Sequence, residues 1–422
     1  MSILKVDKLH SEDGTNSNIE LDDSRNVTVK GNLSVDGTIP ANKLTGALPA
    51  ISGASLTGLS SSPPAGRNIL INGDMRIAQR GTSSTEQGCK TTDRFYYDKG
   101  GTNETPQQEQ RALTSSDTGP WAKGFRWCYK ITNGNQSALD AADYIRFKYI
   151  TENRDIHQSG WDYTDPNSKV TISFWVKSSV SQRFYFALRT SEGTGQHYAH
   201  PFTPAANTWT YVTHTIPGNA NNVFGDNNDH GLMLQWQIAM GSLYTDDSFT
   251  DDAWGVYQTN QFKDYDGDDD NWYTTDDATW EITGVQLEAG ATATDFEFKR
   301  YDDELRRCQR YFYMHADGSR HNGEMLGIMS SYSTDQWYCG VHFPVTMRSG
   351  TPGLYKVVGQ NYFALMSGAG VQNLSDDVGT SAQESANGYF LHFTDDVSNT
   401  TGHAGWGYIS NANARVGFDA EF

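Results

Sequence analysis

Short stretches of this chain alternate apolar and polar residues with a period of two, the mark of half-buried β-strands. Across 170–176, Val170, Ile172, Phe174 and Val176 share one face. Phe184, Phe186 and Leu188 do so across 183–189, leaving Arg183, Tyr185 and Arg189 opposite. Leu232, Leu234, Trp236 and Ile238 make a third apolar row, and 209–216 and 280–287 predict further strands. Residues 68–74 read as a strand ending in a turn. So many strands joined by polar loops predict a mostly β protein built on an antiparallel sandwich of the jelly-roll type. One helix is predicted over 302–313. Asp302, Asp303 and Glu304 stand at the positive end of its dipole, Arg306, Arg307 and Arg310 follow, and Leu305, Cys308, Phe312 and Tyr311 supply a stripe. Beyond it, strand patterns return at 337–343, 388–393, 405–409 and 414–418, giving a small β or α+β region.

The N-terminal sixty residues differ. Val27, Val29, Leu33, Val35 and Ile39 alternate with polar residues, Gly31 and Gly37 provide turns, and Leu-Thr-Gly occurs at 44–46 and 56–58. No Phe, Trp or Tyr precedes Phe95. Such a segment buries too little apolar surface to offset its ordering entropy, so it stays disordered or takes its core from other chains. Ile3, Leu4, Val6 and Leu9 predict a short helix or strand that docks on a larger partner, and the run 60–66 is a linker by composition.

Composition sharpens this picture. The 422 residues are only 36% hydrophobic, but 12% are aromatic, with 11 Trp, 22 Tyr and 19 Phe, which suits strands. Formal net charge is −19, and 226–277 holds thirteen aspartates against the single base Lys263. An acidic chain of this kind excludes nucleic acid as a partner, because phosphate neutralisation needs Lys and Arg. Solubility alone accounts for the acidity equally well. No apolar run approaches a membrane span, and residues 1–5 lack the long apolar stretch of a secretory signal. Cys89, Cys128, Cys308 and Cys339 have no metal-finger spacing and read as reduced, partly buried thiols.

Several strings resemble bacteriophage tail-fibre and receptor-binding proteins, especially those of cyanobacterial phages. They are MSILKVD at 1–7, the Leu-Thr-Gly stem, and NILINGDMRIAQR at 68–80 with TDRF at 92–95. GVQLEAG at 284–290 running through TDFE at 294–297 into LRRCQRY at 305–311, and NARVGFDA at 413–420, complete the set. Residues 67–300 are also similar to carbohydrate-binding jelly rolls. The resemblance implies a non-enzymatic homotrimeric virion fibre, assembled in the host cytoplasm. It would attach to a tail adaptor, nozzle or baseplate protein through residues 1–25. An intertwined trimeric β stem and linker would follow at 26–66, with Leu44, Leu48, Ile51, Leu56 and Leu59 near its axis. A β-sandwich would occupy 67–300 and a tip or trimerisation domain 301–422. The implied partners are further copies of the chain and a host surface polysaccharide such as lipopolysaccharide, with no membrane insertion. A polysaccharide-degrading spike and a capsid-attached fibre or decoration protein are the alternatives.

Sugar recognition needs aromatic faces for the apolar side of a pyranose and planar polar groups for its hydroxyls. Trp254, Trp272 and Tyr273 stand in polar, loop-like context, and Trp175 and Tyr185 oppose the apolar rows of their strands, so these five are the candidates. Aromatics also dominate cores and interfaces, so packing is the default for any one of them. Asp264, Asp266, Asp268 and Asp270 alternate around Gly267, a pattern able to give Ca²⁺ several oxygen ligands. The twelfth position of an EF-hand loop would be Thr275, so that spacing fails and a solvated acidic loop is the default. No nucleophile elbow, metalloprotease motif or phosphate loop is present. His197 and His200, flanking Tyr198 with no Cys or carboxylate at ligand spacing, read as solvent-facing.

Overall fold

The computed structural model describes residues 8–10, 17–21, 27–29, 66–263 and 271–422, apart from 369, 371, 395, 396 and 399. The chain falls into two compact units, Met1–Ser62 and Pro63–Phe422. In the first, Lys8–His10, Ser17–Leu21 and Val27–Val29 form a three-stranded antiparallel sheet, with Leu9 opposite Ile19 and Ile19 opposite Val29. Lys8–His10 and Ser17–Leu21 are therefore strand, where the sequence left helix or strand open; Ile3, Leu4 and Val6 lie outside the described residues. The proposed stem residues Leu44, Leu48, Ile51, Leu56 and Leu59 lie outside the described residues.

The second unit is mostly β and antiparallel. Two six-stranded sheets face each other. The first runs Gly255–Val256, Gln196–Phe202, Phe184–Thr190, His230–Met240, Tyr144–Glu152, Phe95–Gly100 in spatial order. The second runs Thr210–Pro217, Lys169–Ser178, Thr279–Ala289, Trp127–Thr132, Gln107–Ala112, Ser83–Ser84. The three apolar rows read from the sequence all point into the space between the sheets. Aromatic rings fill that space: Phe147 stacks on Phe95 at 5.1 Å and meets Tyr129, Trp236 and Trp280 at 4.6, 5.2 and 5.5 Å. Large rings bury much area per residue, so a chain lean in aliphatics still builds a dry core.

Residues 68–74 are not a strand. They form an irregular buried segment whose side chains take over ladder bonds of the strand Thr279–Ala289. Asn68 accepts from the Leu287 amide at 3.1 Å and donates to the Val285 carbonyl at 3.1 Å. The Ile69 amide donates to the Leu287 carbonyl at 2.9 Å. Asn72 sits in the left-handed region (φ 62°), which ends any extended run there.

The helix spans Tyr301–Gln309, four residues shorter at its C-terminal end than the pattern predicts. Arg310 turns away to form a bidentate pair with Glu152 at 2.6 and 2.7 Å, and Phe312 opens the strand Phe312–Asp317. That strand and Gly353–Val357 flank Arg415–Asp419 in a three-stranded sheet. A seven-stranded sheet orders Gln372–Ser375, Phe363–Ser367, Ala404–Ile409, Met325–Ser333, Gln336–His342, Gly388–Phe393, Gly379–Ser385. One face builds a second core around Trp337, Phe363, Leu391, Phe393 and Phe418. The other presents Ile328 opposite Trp406 in register, Tyr338 stacked on His392 at 4.4 Å, Phe390 and Tyr332. Ile328 and Tyr332 are 68% and 72% exposed, unusually open for large apolar side chains.

Buried ions bind the C-terminal residues to the sandwich. Arg94 is wholly buried, pairs with Glu421, donates to the Ile150 carbonyl at 2.5 Å and lies 3.3 Å over the Tyr311 ring. Arg80 pairs with Asp419 at 3.0 Å and lies 3.6 Å over Phe312. All four cysteines are free thiols and buried, more deeply than the sequence suggested. No helix among the described residues is long and apolar enough to cross a membrane.

Candidate functional site

The outer face of the second sheet carries an open aromatic cleft of about 560 Å³, within the usual range for a small-molecule site. Its wall begins with Trp175, which points away from the core because Phe174 and Val176 point into it. Tyr211 on the neighbouring strand is directly opposite Trp175 in register, with ring centroids 5.0 Å apart and an interplanar angle of 38°. Tyr211 is 44% exposed.

The floor is a three-ring cluster. Phe125 meets Phe296 and Phe298 at 5.0 Å each, Phe296 and Phe298 are 4.9 Å apart, and Phe298 is 47% exposed. Two glycines make these approaches possible. Gly284 (φ +66°) forms the bulge where pairing with Lys169–Ser178 shifts register, and a Cβ there would stand 2.7 Å from the Phe125 ring. Gly119 (φ +100°) lets its loop lie against Trp175, where a Cβ would stand 2.7 Å from the indole. Bulges commonly re-aim side chains beside functional sites.

Polar groups surround the rings. Ser173 lies in the floor, and the exposed Lys123 ammonium and Asp295 carboxylate stand 3.8 Å apart on the rim. Behind Trp175, Asp117 accepts from Trp209 Nε1 at 3.0 Å, from Arg111 at 2.8 Å and from the Thr114 amide at 2.9 Å. Burial alone would raise the Asp117 carboxyl. These donors outweigh it and hold the group far below the usual carboxylate range. Lys177 joins the same network at 2.9 Å from Glu281. The cleft thus pairs fixed aromatic faces with an exposed Lys123–Asp295 ion pair at its rim.

Of the five aromatics read from the sequence, only Trp175 belongs to this cleft. Trp254 is half-buried, donates from Nε1 to the Pro217 carbonyl at 2.7 Å and lines a second cleft of about 390 Å³ with Asp246, Phe249, Gln258 and Asn260. Trp272 and Tyr273 are not exposed: both rings lie in the core between the sheets. Polar neighbours suggested a surface loop, but Asn133 Nδ2 satisfies the buried turn by donating to the Trp272 and Tyr273 carbonyls at 3.2 and 2.7 Å. Tyr185 does face away from the core, yet it is fully buried beneath the segment 241–263, 5.3 Å from Phe262. None of these three can meet a sugar. Asp264, Asp266, Asp268 and Asp270 lie outside the described residues.

The histidines also differ from their sequence reading. His197 and His200 lie on the strand Gln196–Phe202, with His197 fully buried among Phe249, Phe262 and Tyr257. The sequence did not point to Tyr211, Phe125, Phe296 or Phe298. Tyr211 was within reach of it: period two across 209–216 places Tyr211 opposite Val212 and Ile216, on the outward face.

No family model and no curated protein matches the sequence. Among solved structures, the enzymatically active domain of bacteriophage CBA120 tailspike protein 4 is similar at 9% identity and a TM-score of 0.28, over 53% of this chain. The chain spans only 22% of that tailspike's length. A CBM4 structure is similar at 11% identity and a TM-score of 0.26, over 52% of this chain and 98% of that one. A putative sugar-binding protein from Bacteroides thetaiotaomicron is similar at 7% identity and a TM-score of 0.27, over 53% of this chain and all of that one. Likenesses this slight do not bear on function.

Proposed function

We propose that this protein binds a host surface polysaccharide without turning it over, and that the cleft built on Trp175 and Tyr211 holds the sugar. The observation that carries this reading is the outward, in-register Trp175–Tyr211 pair beside the half-exposed Phe298. Pyranose C–H faces stack on such rings, while Lys123, Asp295 and Ser173 are placed for hydroxyls. Binding without hydrolysis is favoured because the described residues lining the cleft include one carboxylate, Asp295, and glycoside hydrolysis ordinarily needs two.

The wider setting is a homotrimeric phage tail fibre, with residues 1–25 on the virion tail and the remainder presented to the host. Support comes from the order of fibre-like strings along the chain and from the aromatic-poor segment before Phe95. The open apolar face of the seven-stranded sheet, with Ile328, Trp406 and Tyr332, is a second surface suited to self-association. Three copies on one axis would turn weak sugar sites into avid ones.

The test is binding of the intact protein to host envelope polysaccharide, with Trp175→Ala and Tyr211→Ala compared by calorimetry. Each is expected to weaken binding at least tenfold, and the release of reducing ends is expected to stay at background. Unchanged affinity in both variants refutes the site. Cleavage of the polymer would establish the degrading spike instead. Light scattering reading a monomer would end the trimer proposal.

A further inference from the structure

Independently of the sugar reading, a second constellation sits at the edge where the two sheets approach. His200 comes from the strand Gln196–Phe202 of the first sheet and His214 from Thr210–Pro217, the edge strand of the second. Their imidazoles stack face to face at 3.7 Å and 16°. One carboxylate oxygen of Asp252 reaches both: 2.7 Å to His200 Nδ1 and 3.3 Å to His214 Nε2.

Each of the three is fixed separately. His200 pairs with Phe186 in its ladder and His214 with Ile172 in the other. Asp252 holds a left-handed backbone (φ 61°), and its amide donates to the Ala199 carbonyl at 2.9 Å, beside His200. That turn aims the carboxylate at the ring pair while leaving Asp252 49% exposed. No local spacing marks this cluster, because the carboxylate lies 52 residues from His200.

We propose that His200, His214 and Asp252 bind one divalent transition-metal ion, zinc first, leaving a fourth position open to solvent. One donor atom from each residue lies within 4.8 Å of the others, with no ion present. Metal–ligand bonds of about 2.0–2.2 Å in a tetrahedron place ligand atoms about 3.3 Å apart, so the donor atoms must draw together on loading. One imidazole must also turn out of the stack, and the Tyr198 hydroxyl, 2.8 Å from His214 Nε2, must release that nitrogen. Two imidazoles and a single carboxylate suit zinc, copper or nickel. Calcium and magnesium would find a single carboxylate where they need about six oxygen ligands. Three protein ligands with an open fourth place is the arrangement of a zinc ion that keeps a water or takes a ligand atom.

The test uses tag-free, EDTA-stripped intact protein titrated with zinc chloride by calorimetry. The expected result is one ion per chain at micromolar or tighter affinity, a rise in Tm on loading, and the visible absorption of four-coordinate Co²⁺ when cobalt replaces zinc. His200→Ala and His214→Ala should each weaken binding at least a hundredfold, and Asp252→Asn at least tenfold. Replacing Asp264, Asp266, Asp268 and Asp270 together by Asn should leave this site intact. If either histidine variant fails to fold by circular dichroism, Asp252→Asn decides the matter, since its side chain is half-exposed. No binding at millimolar zinc, or unaltered affinity in the folded variants, overturns the proposal.

Discussion

Changing Glu421 to Gln removes the counter-charge of a guanidinium that has no access to water. Arg94 is fully buried, and the Glu421 side chain is almost entirely so. Breaking a buried pair from one side ordinarily costs about 3–5 kcal/mol, because the surviving charge is left uncompensated. Three features hold Glu421→Gln near the lower bound. The amide oxygen still accepts a hydrogen bond, the Ile150 carbonyl stays 2.5 Å from the guanidinium, and the Tyr311 ring stays beneath it at 3.3 Å. About 3 kcal/mol is therefore expected for Gln, and about 4–5 kcal/mol for Glu421→Ala. An unfolding entropy of about 2.1 cal/mol/K per residue, over the roughly 360 residues of this unit, turns 4 kcal/mol into a Tm loss of about 5 °C. The readout is guanidinium denaturation followed by tryptophan fluorescence, run on Glu421→Gln, Arg94→Met and the double variant. The double variant should recover 2 kcal/mol or so of the summed losses, since a buried pair replaced as a pair costs little. Added salt should leave the difference in place, as the pair is shielded from solvent. A loss below about 1 kcal/mol for Glu421→Gln, or strictly additive losses, would refute the view that this pair bears the junction.

Three further outcomes are expected. Gly119→Ala puts a Cβ 2.7 Å from the Trp175 indole at a φ of +100°; it should destabilise by about 1–3 kcal/mol and weaken polysaccharide binding, and a variant neutral in both assays counts against the cleft geometry. Burial with Arg189 alongside lowers His197 to about 3 and His230 to about 4, so below pH 6.5 the unfolded chain takes up protons that the folded one refuses, and stability falls with pH across that window. Burial raises Asp74 and Asp93 to about 6, which works in the opposite direction between pH 6 and 4. His197→Phe should spare about 2–3 kcal/mol of the loss between pH 6.5 and 4.5, and denaturation midpoints that fall in parallel with wild type would contradict this. The four thiols are buried, and burial pushes those of Cys89, Cys128 and Cys308 well above the usual thiol range. An aromatic disulfide reagent should therefore find almost none in the native protein and four after denaturation.

The sandwich was legible because its inward rows are uninterrupted. Val170, Ile172, Phe174 and Val176 can meet Leu232, Leu234, Trp236 and Ile238 only across two facing sheets. The helix start was legible from its acids, while its end was not: Tyr311 and Phe312 fit a helical stripe and a strand equally, and the Arg310–Glu152 pair decided for the strand. Residues 68–74 misled because Asn68 performs backbone hydrogen bonding with its side chain, which no apolar pattern records. Trp272 and Tyr273 misled because polar neighbours describe a loop but not its depth; the Gln182 and Asn133 side chains satisfy that turn inside the core. In the cleft, Trp175 followed from strand alternation, whereas Phe296 and Phe298 lie in an irregular segment outside any strand, where no periodicity marks the direction of a side chain. His200 and Asp252 meet through tertiary structure alone.

The tie between Arg94 and Glu421 also sets a clock. The two residues are 327 positions apart. At about 5–20 residues per second, a ribosome takes roughly 20–60 s to make the partner after Arg94 has emerged. For that interval the sandwich either stays open or holds an uncompensated cation in its wall. A nascent chain in this state exposes unpaired strand edges and aromatic rows, the features that make folding intermediates prone to aggregate. Any product that stops short of Asp419 lacks the acid that pairs with Arg94 and leaves Arg80 with Asp93, 3.8 Å away, so it should be cleaved faster by protease than a chain that carries Asp419 and Glu421.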